Sequence, residues 1–217
     1  MNQAIRNTWI AVVLLFVLCL GSLSYVQFFA ASDLNNNALN KRQLFREFDL
    51  PRGAILVDGK PIAESKPSEG QFKYQRTYTD PELYAFLTGF YSLTNSSTQL
   101  ESVMNDELTG QSQDQFFDRM INLFSGRANE GASVELTIDG KLQKFVYDLI
   151  PDGTRGTIIV SEPKTGNILA MASKPSYDTN LLAVQSSKEA AANMKKLLKV
   201  PGLSPYVNPA LGNLTAP

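Results

Sequence analysis

From Trp9 to Ala31 no side chain is charged, and Ala11 to Leu20 is almost wholly aliphatic. A run of about 20 apolar residues matches the ~30 Å hydrocarbon core of a bilayer, so this stretch is read as a membrane-spanning helix. Arg6 precedes it, and Trp9, Tyr25, Phe28 and Phe29 sit near its two ends, where aromatic rings anchor at the interface. Lys41, Arg42 and Arg46 follow, so charge bias orients the helix only weakly. The alternative is a signal peptide cleaved near Ala30-Ala31-Ser32, but signal cores usually run ~7–15 residues and this one is longer. A buried soluble helix is the third reading. The expectation is an uncleaved anchor over residues 1–31.

Composition narrows the chemistry. The 217 residues carry a formal charge of −1, one cysteine and no histidine. Near-neutral charge gives no electrostatic reason to expect nucleic acid. A lone Cys19 makes no intrachain disulfide and no cysteine-based zinc site. Without histidine there is no Ser-His-Asp triad and no imidazole ligand. Nucleophilic catalysis would need a serine or threonine activated by lysine or carboxylate.

After a polar, asparagine-rich stretch from Ser32 to Asn40, Asp58-Gly59 between two apolar runs signals a type I′ hairpin, and Pro61 is expected to hold its second strand at a sheet edge. Phe72 to Tyr78 alternates aromatic and polar residues as a strand does, and Pro81 opens a short helix ending near Thr88-Gly89. Two amphipathic helices follow. The first runs from Ser96 or Ser97 to Thr109-Gly110 on Leu100, Val103, Met104 and Leu108. The second opens with the capping box Ser112 to Gln115 and carries Phe116, Phe117, Met120, Ile121, Leu123 and Phe124.

Ala128 to Gly131 reads as a domain joint. Beyond it Val134, Leu136 and Ile138 alternate inward, Asp139 caps a helix, and Leu142, Phe145, Val146, Leu149 and Ile150 form its buried stripe. Thr157 to Ser161 and Asn167 to Ser173 are two apolar strands joined by the turn Glu162-Pro163-Lys164-Thr165-Gly166, hence antiparallel neighbours. Neither alternates cleanly, so both faces are expected to be covered. Ser187 to Lys199 is a basic helix with Met194, Leu197 and Leu198 inward, ended by Pro201.

The run E-P-K-T-G-N-I-L-A-M-A-S (Glu162 to Ser173), then P-S-Y-D-T-N (Pro175 to Asn180), closely resembles the opening strands of the transpeptidase domain in class B penicillin-binding proteins. Thr179 departs from the proline usual there. Asn40, Arg42, Arg52, Gly53 and Ile55 match the N-x-R … R-G-x-I motif of that family's membrane-proximal pedestal, and Leu136 to Gln143 resembles its entry to the transpeptidase domain. Arg76 to Tyr78, Tyr84-Ala85 and Thr88 to Ser92 resemble the penicillin-binding protein A type of high-G+C Gram-positive bacteria. Arg52 is read as an ion-pairing pedestal residue, and the tyrosines as pedestal core before a carbohydrate-stacking platform.

The resemblance implies an α+β architecture: a transmembrane anchor (1–31), a mixed pedestal (32–130) and the incomplete N-terminal part of a penicillin-binding transpeptidase domain (131–217). It implies a single-pass protein of the cell membrane with a cytoplasmic N-terminus, serving peptidoglycan cross-linking in wall growth and division. In that family a serine at a helix start attacks a D-alanyl-D-alanine carbonyl or a β-lactam, and a lysine three residues on takes its proton. Asn208 to Pro217 matches the approach to that helix, with Pro209 where a basic residue is usual; in relatives G-S-T-x-K follows, whereas this sequence stops at Ala216-Pro217. Two look-alikes are set aside. Lys164-Thr165-Gly166 lies in a hairpin loop, and Ser161-Glu162-Pro163-Lys164 contains a proline that forbids the one-turn helical geometry. The catalytic, cofactor and metal lists are therefore empty, and the chain as given is expected to be inactive. Stem peptide and β-lactam are ligands of the full-length relative only. The alternative is a non-catalytic, membrane-anchored module docking on cell-wall polymerases or division proteins through the pedestal. Residues 131–217 are expected to be marginally stable by themselves, with hydrophobic sheet edges exposed.

Overall fold

The computed structural model describes residues 2–30, 45, 47–115, 121, 125 and 130–212. It falls into two compact units, Met1–Leu44 and Phe45–Pro217. In the first, helix α1 (Gln3–Ser24) continues into a π-helical turn, Tyr25–Phe29. Together Ile5–Phe29 contains an 18-residue window of mean hydropathy 2.4 and is long and apolar enough to cross a membrane. Tyr25 stacks on Phe29 at 5.9 Å, grouping rings at one end as the sequence reading placed them. The Asn40 and Arg42 half of the pedestal motif lies outside the described residues.

The second unit opens with a four-stranded sheet. Strands β1 (Ile55–Val57), β2 (Lys60–Pro67) and β3 (Tyr74–Tyr78) form an antiparallel meander. Asp58 and Gly59 take φ of 51° and 70°, the two positive values a type I′ turn needs. Strand β6 (Val134–Glu135) adds to β1 in parallel, so the order is β3-β2-β1-β6. The expected edge position of Pro61 is corrected here: β2 is central. Pro61 is tolerated because β3 pairs only from Ala63 onward and the β1 register shifts at this point, leaving the proline beside a bulge with one strand neighbour. Gly53 is required by a close crossing, since a Cβ there would lie 1.9 Å from the Ala132 carbonyl oxygen.

Helix α2 (Pro81–Thr88) follows, then the two-residue strands β4 (Tyr91–Ser92) and β5 (Ser96–Ser97). The single helix expected from Ser96 to Thr109 is instead two, α3 (Gln99–Val103) and α4 (Asn105–Leu108), broken at Met104, whose φ −97° and ψ 26° leave the helical region. The break turns Val103 outward, 77 % exposed, while Leu108 is buried. Of the second amphipathic helix, Ser112 to Gln115 form bends and turns, and Ile121 and Ser125 are helical; Phe116, Phe117, Met120, Leu123 and Phe124 lie outside the described residues.

Helix α5 (Gly140–Leu149) is capped by Asp139, whose carboxylate accepts from the Leu142 N–H. Strands β7 (Gly156–Ser161) and β8 (Ile168–Lys174) pair antiparallel across the expected turn. Val146, Ile150, Ala170 and Ala172 form the core between helix and hairpin. Three expectations shift. Phe145 is 60 % exposed and Leu149 also faces outward, because the buried stripe is centred one position over, on Gln143 and Val146. Strand β8 is covered on both faces over Ala170–Ser173, but β7 is not, and Ile159 is 47 % exposed. In α6 (Ser187–Leu197) Ala190 and Met194 are buried, whereas Leu198 just past its end is exposed. A short α7 (Pro209–Gly212) follows.

Candidate functional site: a buried charge cluster and its amide staples

The pedestal interior is polar at its centre. Arg76 and Tyr78 sit two apart on β3 and so share a face. Arg52, just ahead of β1, and Glu101, on α3, meet them there. Arg52 Nε lies 2.6 Å from one Glu101 carboxylate oxygen and Arg76 Nε 2.7 Å from the other. Arg52 also donates to the Glu101 carbonyl (2.6 Å) and to Asn105 Oδ1 (2.9 Å), and Arg76 donates to the Gly53 carbonyl (2.8 Å). The Tyr78 hydroxyl donates to Glu101 at 3.1 Å and accepts from the Tyr91 N–H at 2.9 Å. The Arg52 guanidinium lies over the Tyr91 ring, 4.4 Å from its centroid.

Burial would push the Glu101 carboxyl up, but the guanidiniums of Arg76 and Arg52 outweigh it and hold it below the usual carboxylate range. Burial, reinforced by Glu101, raises the Tyr78 phenol well above its ordinary value; burial, with Glu47 beside it, raises Tyr91 likewise. Both phenols therefore stay protonated donors. A carboxylate with both oxygens taken by guanidiniums and a depressed pKa has no proton to give and no oxygen free to take one. The cluster is architecture, as the sequence reading of Arg52 had it. Tyr78, Tyr84 and Tyr91 are buried and Tyr74 is half-buried, as core residues are.

Around this centre, side-chain amides hold later segments onto the pedestal. Asn180 accepts from the Tyr78 N–H (2.9 Å) and donates to its carbonyl (3.0 Å), copying a strand partner at the β3 edge. Gln185 does the same for Phe72 and also donates to the Tyr74 carbonyl, and Gln75 donates to the Ala183 carbonyl. Gln143 accepts from the Met171 N–H (2.8 Å) and donates to the carbonyls of Met171 (2.9 Å) and Leu83 (3.0 Å). Asn208 donates to the Phe86 carbonyl at 2.8 Å. None of these staples was singled out from sequence. The sequence signal for Gln143 was its place beside Leu142 within an apolar stripe; its full burial is seen only in the fold.

The two look-alike motifs lie together at the β7–β8 turn. Ser161 pairs with Ile168 at the strand end, and Glu162 through Gly166 are exposed. Thr165 Oγ1 donates to the Glu162 carboxylate at 2.6 Å, and the Gly166 N–H to the Glu162 carbonyl. No helix places Lys164 one turn from Ser161. A cleft of about 430 Å³ opens between α2 and α5, lined among others by Asp80, Glu82, Lys144, Tyr147 and Asp178; it offers carboxylates and a phenol but no serine or cysteine. Among the described residues no group of three or more His, Cys, Asp or Glu side chains is arranged to hold a metal ion.

Residues 52–134 match the profile of the penicillin binding protein A dimerisation domain. The whole chain is 38 % identical over 221 aligned positions to the peptidoglycan D,D-transpeptidase PbpA of Mycolicibacterium smegmatis, and covers 45 % of that protein. It is 36 % identical, with the same coverage, to PbpA of Mycobacterium tuberculosis. The fold matches penicillin-binding protein A from M. tuberculosis, in its imipenem acyl-enzyme complex, with a TM-score of 0.72 and 38 % identity over 76 % of this chain and 39 % of that one. It also matches a D,D-transpeptidase domain from Eggerthella lenta with a TM-score of 0.58 and 29 % identity, over 78 % of this chain and 34 % of that one. The chain thus spans less than half the length of the relatives it matches.

Proposed function

From a chain that belongs, by homology along its whole length, with the N-terminal parts of class B penicillin-binding proteins of the A type, we propose that these residues are the anchor, the pedestal and the first wall of a peptidoglycan D,D-transpeptidase. The reaction is acyl transfer: a serine takes the acyl group of a D-alanyl-D-alanine stem peptide, D-alanine leaves, and an amine of a neighbouring stem peptide receives the acyl group. The observation that carries this reading is the end-to-end match to PbpA together with the fold match at a TM-score of 0.72. We assign residues 1–31 to the anchor, 32–130 to the pedestal and 131–217 to the start of the transpeptidase domain. The helix Ile5–Phe29 would cross the cell membrane once, N-terminus in the cytoplasm, leaving the bulk outside. Among the described residues no serine at a helix start is followed three residues on by a lysine, so we assign them no acylation of their own. The pedestal is the surface through which a polymerase or division protein would be met.

Fluorescent penicillin labelling in membranes tests the assignment. The 217-residue chain should give no labelled band, while the same chain continued in frame by the remaining part of the M. smegmatis relative should label. A band from the 217 residues alone would overturn the reading of Ser161 and Lys164. A folded but unlabelled chimera would overturn the enzymatic assignment and favour a non-catalytic, membrane-anchored module.

A further inference from the structure

The segment 45–50 is bound to the rest of the pedestal through aromatic rings and two carboxylates, Asp49 accepting from the Lys73 N–H at 3.2 Å and Glu47 from Tyr91. Phe48 stacks on Tyr91 with ring centres 4.6 Å apart, and the Tyr91 hydroxyl donates to the Glu47 carboxylate at 3.1 Å. The Tyr91 backbone N–H donates to the Tyr78 hydroxyl at 2.9 Å, and that hydroxyl donates to Glu101 at 3.1 Å. At the other end of the same residue, the Tyr78 backbone is gripped on both its N–H and its carbonyl by Asn180. Hydrogen bonds linked through the covalent frames of Tyr91 and Tyr78 therefore join Glu47 to Asn180, and both tyrosines are buried.

We propose that Tyr78 is a positioning residue that couples the segment Phe45–Leu50 to the segment Asp178–Gln185, so that displacement of either loosens the other. The physical ground is that one phenol oxygen serves as acceptor and donor at once. A shift of β4 against β3 breaks the Tyr91 bond and a shift of α3 breaks the Glu101 bond, and an unsatisfied group in so buried a place is costly, which leaves few intermediate arrangements. Asn180 in turn mimics a paired strand, which tolerates little change in the twist or position of β3. The inference stands on this packing and not on the acyl-transfer assignment. It predicts a link between the part of the pedestal nearest in sequence to the anchor and the residues that follow the first hairpin.

Residue-resolved hydrogen exchange on the full 217-residue chain in detergent micelles tests it, with the variants Tyr78→Phe, Glu47→Gln and Asn180→Ala. Tyr78→Phe keeps the ring and the backbone grip of Asn180. The coupling predicts that exchange at the Tyr78 and Leu182 amides nevertheless accelerates about tenfold, the order a single buried hydrogen bond carries. Glu47→Gln, at the periphery, should move the same amides in the same direction. Asn180→Ala should speed the Tyr91 amide, because coupling is reciprocal. The Met171 amide, held separately by Gln143, is the control and should not change. Acceleration confined in Tyr78→Phe to the Tyr91 amide would overturn the proposal. So would acceleration that includes Met171 equally, since that reports global opening.

Discussion

Two parts of the Phe45–Pro217 unit are built on opposite plans. The pedestal centre is ionic and buried: two guanidiniums and the Tyr78 phenol converge on the Glu101 carboxylate, with Arg76 Nη2 alone of these groups left without a partner. The β7–β8 hairpin with α5 is apolar and half open, with Phe145, Leu149 and Ile159 facing outward. A buried ion cluster is weak evidence for stability as such, because desolvation offsets most of the Coulomb gain. What it enforces is geometry, since few alternative packings satisfy as many of these groups. An apolar face enforces burial without fixing geometry so tightly. The pedestal is thus the part of the molecule whose arrangement is specified most sharply.

The largest effect should come from removing the charge at its centre. Glu101→Gln leaves Arg52 and Arg76 buried with only a neutral partner, and should lower stability by about 3–5 kcal/mol. For a chain of this size that is a drop in Tm of roughly 10 °C. Near-ultraviolet circular dichroism, which sees the pedestal tyrosines, would follow it on heating. A loss no larger than that of an exposed glutamate would show the cluster to be dispensable and remove the contrast.

Acid should act on the same point more gradually. The folded Glu101 carboxyl lies below its ordinary value, so the unfolded chain binds the proton first as pH falls. The stabilisation is fully present above about pH 5 and is lost as pH drops through the ordinary glutamate value of about 4.3 toward the folded one. Denaturant titrations at a series of acidic pH values should show this slope in the native chain and a shallower one in Glu101→Gln. Equal slopes would mean other carboxylates carry the acid response.

How far each plan could be read in the residues follows from what periodicity reports. The long apolar N-terminal helix, the Asp58-Gly59 turn, the Asp139 cap, the alternation of Val134, Leu136 and Ile138 and the β7–β8 pairing were all legible, since each rests on local chemistry or on a repeat of 2 or 3.6. Arg52 as an ion-pair residue was legible through the family resemblance. Its partners were not, because Glu101 and Asn105 lie 49 and 53 positions away, and no local rule pairs them. The same limit hid Asn180 and Gln185, whose partners on and beside β3 are more than a hundred positions earlier. Phe145 and Leu149 were misplaced for a different reason. The five apolar residues of that helix define a broad face, and a neighbouring polar side chain, Gln143, took the buried centre by forming three hydrogen bonds.

Gln143→Ala sharpens this point. It should cost about 3 kcal/mol, because it leaves the Met171 N–H and the carbonyls of Leu83 and Met171 short of partners in the interior. Hydrogen exchange should quicken at Met171 while the Tyr78 amide stays protected. Thr179→Val should act in the opposite direction. The Thr179 hydroxyl is fully buried and has no hydrogen-bond partner. An isosteric valine removes that unsatisfied group and should stabilise the chain by about 1 kcal/mol, read as a higher denaturant midpoint at unchanged slope.

A contrast that includes the smallest effect, at Phe145, separates the two sides of α5. Phe145 and Val146 are adjacent and both apolar, yet the first is 60 % exposed and the second 2 %. Val146→Ala removes two methyl groups from the core it shares with Ile150, Ala170 and Ala172, and should cost about 2 kcal/mol. Phe145→Ser removes a much larger side chain, but one already in water, and should change stability by less than about 0.5 kcal/mol. Urea unfolding of the two variants side by side decides the matter. If Phe145→Ser proved the more damaging, the phenylalanine would be burying surface in solution, and the half-open character assigned to the hairpin–helix pair would be wrong.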